Sequence, residues 1–253
     1  MRIIQLTDIH LGFDGEYTRG VDSRKNFLDI IQAISAQHPD LLVITGDICY
    51  KAPFQEIYDW VEEILVELPF DVRIIGGNHD DIGMIPMRFL PIKGDDHDER
   101  YFDLHLPLYR TNVMFLDTHS AVMSETQLSF LRKKLQSADK RVVIFMHHPP
   151  VLAGVGYMDI NHAFRSREKF AEVLREVGVK PIIFTGHYHV EKTIVTEEAI
   201  VHITPSTFFQ IKQDQPEFAV DHHNIAYRLI DLSIKSMMHR VEYLPGNLLP
   251  DQS

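Results

Sequence analysis

Apolar residues follow two rhythms along this chain. Over 1–7, 41–45 and 72–75 they run almost unbroken, the pattern of strands buried on both faces. Between those runs they recur at helical spacing: Phe27, Ile30, Ile31 and Ile34 within 24–37, closed by Pro39, then Ile57, Trp60, Val61, Ile64 and Leu65 within 54–68. Such β-α-β-α-β alternation predicts parallel strand pairs with helical crossovers. Further on, 101–106 and 113–117 read as paired strands, and Ser124-Glu125-Thr126-Gln127 as a capping box opening a helix through Leu128, Leu131 and Leu135. A strand over 142–146, a helix over 166–176 and a strand over 182–185 follow. Only short β-like runs come after, at 192–196, 200–204, 225–231 and 237–242. The expected fold is α/β, two sheets packed face to face with helices outside, the second sheet finished by the C-terminal strands. One domain over 1–253 is expected, with the tail 244–253 loosely held. The irregular stretch 83–100 reads equally as a lid or as a surface excursion.

The strands end alike. Five of them deliver polar side chains at once: Thr7-Asp8-Ile9-His10, Thr45-Gly46-Asp47, Gly76-Gly77-Asn78-His79-Asp80, Met146-His147-His148 and Thr185-Gly186-His187-Tyr188-His189. Carboxyl ends of strands are where open α/β sheets assemble their sites. Gathered there, Asp8, His10, Asp47, Asn78, His147, His187 and His189 offer carboxylate, amide and imidazole donors. That mixture suits Mn, Fe or Zn better than Mg or Ca, and the lack of thiolate disfavours a structural zinc site. Seven donors exceed one tetrahedral ion. Two ions about 3.5–4 Å apart, sharing a carboxylate and a water-derived hydroxide, would use them all in a geometry suited to displacement at phosphorus. Asp47, between the other groups in chain order, is the natural shared carboxylate.

Composition narrows the partners. With 253 residues, 45% apolar, a sizeable core is available, and a formal charge of -11 argues against duplex nucleic acid while leaving room for a small anion drawn to metal ions. Cys49 is the only cysteine, so no internal disulfide forms. The start reaches Thr7-Asp8 too early for a signal peptide, and no apolar run approaches a membrane span; a cytoplasmic protein is expected. The late β-rich segment could offer an edge for homodimer pairing. Being a histidine means little in a chain with 15 of them; His148 is expected to support its neighbour, and His222 and His223 to be solvated.

The motifs in this order resemble the calcineurin-like metallophosphoesterase superfamily, whose pattern reads D-x-H, G-D, G-N-H-D/E, H and G-H-x-H, over Asp8 to His189. That resemblance implies a four-layer α-β-β-α sandwich. It also implies a first metal on Asp8, His10 and His189, a second on Asn78, His147 and His187, and Asp47 between them. His79 would face the substrate beside Asn78, stabilising phosphoryl oxygens or protonating the leaving alkoxide. His147-His148-Pro149-Pro150, Gly154 to Asp159 and Thr204 to Gln210 are further similar to bacterial class III cyclic-nucleotide phosphodiesterases. This implies hydrolysis of cyclic AMP or a relative to the 5′-nucleotide, with Tyr157, Asp159 and Ser206 bordering the substrate. A broader phosphodiesterase or phosphomonoesterase acting on glycerophosphodiesters or nucleotides is the alternative. A scaffold without activity would be expected to have replaced ligands, and here His79 and all seven stand. One position departs from the pattern: where some relatives carry an acid three residues after the bridging Asp, this chain has Tyr50.

Overall fold

The first third of the chain folds as its periodicity predicts. Strands β1 (Arg2–Leu6), β2 (Leu41–Ile44) and β3 (Asp71–Ile74) pair in parallel, with helices α1 (Ser23–Ser35) and α2 (Gln55–Leu65) as crossovers. Asp22 caps α1 by accepting from Lys25 N. Phe27, Ile30, Ile34, Ile57, Val61 and Leu65 press these helices onto the sheet, and Trp60 packs at the edge of the same cluster. The computed structural model describes residues 1–90 and 99–249. Of the irregular stretch, 91–98 lies outside the described residues; before it, Ile82, Ile85, Phe89 and Leu90 are buried around a short 3-10 turn at Met87–Phe89.

A second sheet follows. β4 (Phe102–Leu106) pairs antiparallel with β5 (Thr111–Phe115), and β6 (Arg141–Phe145) and β7 (Ile182–Thr185) add in parallel. Helices α3 (Glu125–Gln136) and α5 (Arg167–Val177) cover its outer face, with the short α4 (Gly156–Asn161) between β6 and α5. Pleating sorts the side chains: Met114, Val142, Ile144 and Ile183 face α3 and α5, while Val113, Phe115, Val143, Phe145 and Phe184 face the first sheet. The capping box forms only in part. Ser124 Oγ accepts from Gln127 N, but the Gln127 amide turns to the Asp117 backbone, and Glu99 takes the Ser124 N–H instead.

The C-terminal strands correct the expectation. β8 (Lys192–Val195) and β9 (Ile200–Ile203) finish the second sheet, giving the order β4-β5-β6-β7-β9-β8. β12 (Ile225–Leu232) and β13 (Met237–Leu244) return to the first, giving β13-β12-β1-β2-β3. β12 is buried along nearly its whole length, so it needs a neighbour on each edge and a layer on each face; the free edge of β1 supplies that place. The minor ladder of β10 (Gln210–Ile211) and β11 (Val220–His222) was not foreseen. Nor is the tail loose as far as residue 249: the Asn247 side chain and backbone bond Asn26, Asp29 and Asp22, and Leu248 bridges to Val21. No helix among the described residues is long and apolar enough to cross a membrane.

Two devices lock the sheets together. Registered neighbours on five adjacent strands form an aromatic ladder on the inner face of the second sheet, Phe102, Phe115, Phe145, Phe184 and His202, with ring centroids 4.4, 5.6, 5.5 and 5.2 Å apart. Beside it lies a buried polar network. Gln5 of β1 bonds Thr45 Oγ1 and Thr185 O and accepts from Thr204, while Arg228 of β12 donates to Thr204 Oγ1 and Ile203 O. Gln5 and Arg228 of the first sheet thus find partners at Thr185, Ile203 and Thr204 of the second, which makes the packing register costly to shift.

His202 ends the ladder, its Nδ1 hydrogen-bonded to Thr193 Oγ1 and its ring facing His239 and Arg228. Burial, then the charges of His239 and Arg228, push it down to about 3. The unfolded chain therefore binds a proton that the folded one refuses, and stability falls as pH drops below about 6.5. His202→Phe removes that liability. It is expected to cost about 1 kcal/mol at pH 8 through the lost Thr193 bond, and to gain about 2 kcal/mol relative to the parent between pH 8 and pH 5, read from urea unfolding at both.

Candidate metal centre

All five polar strand ends meet at one place, where the carboxyl ends of β1, β2 and β3 face those of β6 and β7. Delivering side chains there bends the backbone. Asp8, His10, Asp47, His187 and His189 all adopt left-handed conformations, with φ of 53°, 50°, 53°, 67° and 52°. Non-glycine residues pay roughly 1 kcal/mol or more for that region, and such outliers gather at functional sites. Glycines make the close approach possible. A Cβ on Gly186 would overlap Thr7 Oγ1 and crowd Asp8, and one on Gly77 would overlap Asp47.

Two buried carboxylates organise the cluster. Asp8 Oδ2 accepts from Thr7 Oγ1 and His187 N, both at 2.8 Å, which turns Oδ1 toward His189 Nε2 at 3.5 Å and His10 Nε2 at 4.0 Å. Asp47 Oδ1 accepts from His79 N at 2.9 Å, which leaves Oδ2 between His147 Nε2 at 3.4 Å and His10 Nε2 at 3.7 Å. Asn78 Oδ1 lies 3.2 Å from His147 Nε2.

Three imidazoles have their tautomers set from behind. His147 Nδ1 faces Thr45 O, His189 Nδ1 faces Phe209 O and His187 Nε2 faces His162 O, at 2.7, 2.9 and 2.9 Å. A carbonyl only accepts, so each of these nitrogens donates, and His147 Nε2, His189 Nε2 and His187 Nδ1 are the ring nitrogens left that could hold a cation. The electrostatics ask for cations. Asp8 Oδ1 is buried without a hydrogen-bond donor among the described residues. Although burial alone would raise Asp8, His189 and His147 hold it at about 2, and Asp47 stays well below the usual range beside His147 and His10. Burial drives His10 and His187 down to about 3, so they are neutral donors. Against burial, Asp47 and Asp8 push His147 up to about 9: without metal, it takes up a proton where a cation would sit. Asp8, His10 and His189 form one group with convergent ligand atoms, Asp8, Asp47 and His147 a second, and His147, His148 and His187 a third. The donor set therefore fits two metal ions.

His148 comes closer than expected, its ring 4.1 Å from that of His187, with Nδ1 on Thr118 Oγ1 at 3.2 Å. His79 lies beside the cluster, its ring perpendicular to His10 at 5.1 Å, and lines a cavity of about 360 Å³ with Asn78, Tyr50, Tyr157, Phe208, Phe209 and Phe218. Two residues expected at the substrate hold other hydrogen bonds, although Asp159 also lines a neighbouring cavity. Asp159 accepts from Ala153 N, Gly154 N, Val155 N and Tyr188 OH, so it ties down the start of α4, which replaces the loop expected there. Ser206 is fully buried, its hydroxyl donating to Asp8 O; the neighbouring Phe208 and Phe209 form the wall instead. His222 and His223 are part-exposed and outside the cavity lining.

Asp80, which ends the Gly77-Asn78-His79-Asp80 motif, has a role that its sequence position does not show. It is buried and accepts from Ile48 N, Cys49 N, Gly77 N and Tyr58 OH, clamping the Asp47 loop to the Asn78 loop. Burial and the charge of Asp47 push it up to about 6, while those donors favour the ionised form. Asp80→Asn places an NH₂ against one of these donors. A loss of about 2–3 kcal/mol is expected in urea unfolding, with metal content reduced in the folded protein.

Comparison with known proteins agrees with this geometry. The family model described as calcineurin-like phosphoesterase matches residues 1–191. A Fibrobacter succinogenes protein named as a probable cyclic nucleotide phosphodiesterase is 31% identical over 96% of this chain and 94% of its own length. An Arcobacter nitrofigilis protein named as a probable glycerophosphodiester phosphodiesterase is 29% identical over 85% and 81%. Among solved structures, a dimetal phosphatase from Danio rerio superposes with a TM-score of 0.71 over 97% of both chains at 16% identity, and so shares the two-sheet fold. The match over residues 1–191, with the motif residues assembled at one place, establishes that the chain belongs to the calcineurin-like phosphoesterase family of metal-dependent phosphoric ester hydrolases.

Proposed function

We propose that this chain hydrolyses 3′,5′-cyclic nucleotides to 5′-nucleotides at a pair of metal ions, held by Asp8, His10 and His189 on one side and Asn78, His147 and His187 on the other. Asp47 is shared, and the observation carrying this reading is its Oδ2, set between His147 and His10 while Oδ1 is fixed by the His79 N–H. Metal ions there would supply positive charge for phosphoryl oxygens and lower the pKa of a bound water. The chain's own groups do the rest. Asn78 and His79 face the cavity next to the ligand cluster, where an amide and an imidazole can orient the phosphoryl group. His79 supplies the proton to the departing sugar oxygen. Phe208, Phe209, Phe218 and Tyr157 offer aromatic faces to a base, and the name of the Fibrobacter relative points the same way.

An acyclic diester is the second reading. A second cavity of about 590 Å³ adjoins the first at Asn78, His162 and His187, is lined also by His148, Arg165 and Arg167, and could take the second arm of a glycerophosphodiester. The Arcobacter relative carries such a name.

With Mn present, cyclic AMP and cyclic GMP are to be compared with bis(p-nitrophenyl) phosphate, glycerophosphodiesters and a phosphomonoester. Negligible turnover of both cyclic nucleotides beside fast turnover of the others discards the first reading. His79→Ala is expected to keep its metal, measured by elemental analysis, and to lose about a hundredfold or more in kcat. Asp47→Asn is expected to lose metal; a fully metallated, active Asp47→Asn protein would remove the shared carboxylate from the scheme.

A further inference from the structure

Arg19 stands at the mouth of the cavity, outside the strand-end motifs that build its floor, and nothing in the hydrolytic chemistry requires it. It is held in place all the same. Its guanidinium lies 4.7 Å from the centre of the Phe218 ring and 6.0 Å from that of Phe209, and its Nε donates to Tyr50 OH at 3.2 Å. Tyr50 packs in turn on Phe208, with ring centroids 5.5 Å apart, and Tyr157 on Phe218 at 5.4 Å. The residue's own backbone is left-handed, in a loop closed by a Thr18–Val21 bridge and tied through Val21 to Leu248. Thus a cation whose remaining N–H groups meet no carboxylate among the described residues lies beside aromatic faces, in the cavity that His79 and Asn78 also line. Its Tyr50 anchor occupies the position three residues after Asp47.

The geometry points to Arg19 as the residue that selects the base of the substrate, favouring guanine over adenine. This rests on the cyclic-nucleotide reading above. A base stacked on the aromatic wall presents its Hoogsteen edge to the guanidinium. Guanine offers two acceptors there, N7 and O6, matching a fork of two donors; adenine offers one acceptor and an amino donor, which faces Arg19 N–H groups unpaired. Apart from Asn78 at the metal cluster, no carboxylate or carboxamide among the described residues lines this cavity to receive an adenine amino group, and Lys51 at the rim is again donor-only.

The test is a ratio, so losses common to both substrates cancel. In the metallated full chain, kcat/KM for cyclic GMP is expected to exceed that for cyclic AMP by about tenfold, within the range for one bidentate base contact. Arg19→Lys keeps the charge and loses the fork, and should bring the ratio near one. Arg19→Gln, whose amide pairs with adenine N6 and N7, should move it below one. Bis(p-nitrophenyl) phosphate, which has no purine, normalises each variant for metal loading. A parent ratio near or below one, or a ratio that survives in Arg19→Gln, overturns the assignment. Negligible turnover of both cyclic nucleotides beside turnover of the aryl diester instead overturns the cyclic-nucleotide reading and this inference with it.

Discussion

Two carboxylates buried out of water, Asp8 and Asp47, set the terms for everything around them. An isolated buried carboxylate is too costly to persist, so each must be met by hydrogen bonds and by positive charge. The fold meets the first demand with atoms from neighbouring motifs: the His187 N–H reaches Asp8, and the His79 N–H reaches Asp47. The oxygens left over point at imidazole nitrogens, and the remaining negative charge is what makes the place a cation site. Loops from both sheets are thereby pinned to one another by the groups that would hold the ions.

Such a site tolerates little error in how the sheets are set. Left-handed residues at the strand ends are retained only where the surroundings dictate them, and here those surroundings include Asp80, which holds the Asp47 and Asn78 loops together through three N–H groups and a tyrosine. Beneath the loops, the phenylalanine ladder and the Gln5–Thr204–Arg228 network fix one sheet on the other. Placing charged and polar groups in that interface sacrifices some hydrophobic burial. In return, a slipped packing would strand Arg228 and Gln5 without partners, so the network favours a single arrangement.

The cavity above the cluster of Asp and His side chains has a different character. Its walls come from the loop before α1, from Tyr50, from α4 and from the strand-poor stretch around Phe208 to Phe218. None of these is built around the metal ligands as tightly as the strand ends are. The floor of the site is therefore set by the demands of the chemistry, while the rim is free to carry the features that distinguish one substrate from another.

Local information in the sequence reached a long way. The helical spacing of α1, α2, α3 and α5 and the unbroken apolar runs of β1, β2, β6 and β7 all depend on neighbours a few residues apart, and those readings survive in the structure. What depended on distant partners did not show. Alternation gives no clue to which sheet a strand joins, and β12 went to β1 because both of its edges and both of its faces needed covering. Asp159 and Ser206 looked like free polar groups until the fold brought Tyr188 and the Asp8 carbonyl to them. Arg19 and Phe218 stand about two hundred positions apart. A side chain's type states what it can bond, but only the closed chain decides what stands within reach of it.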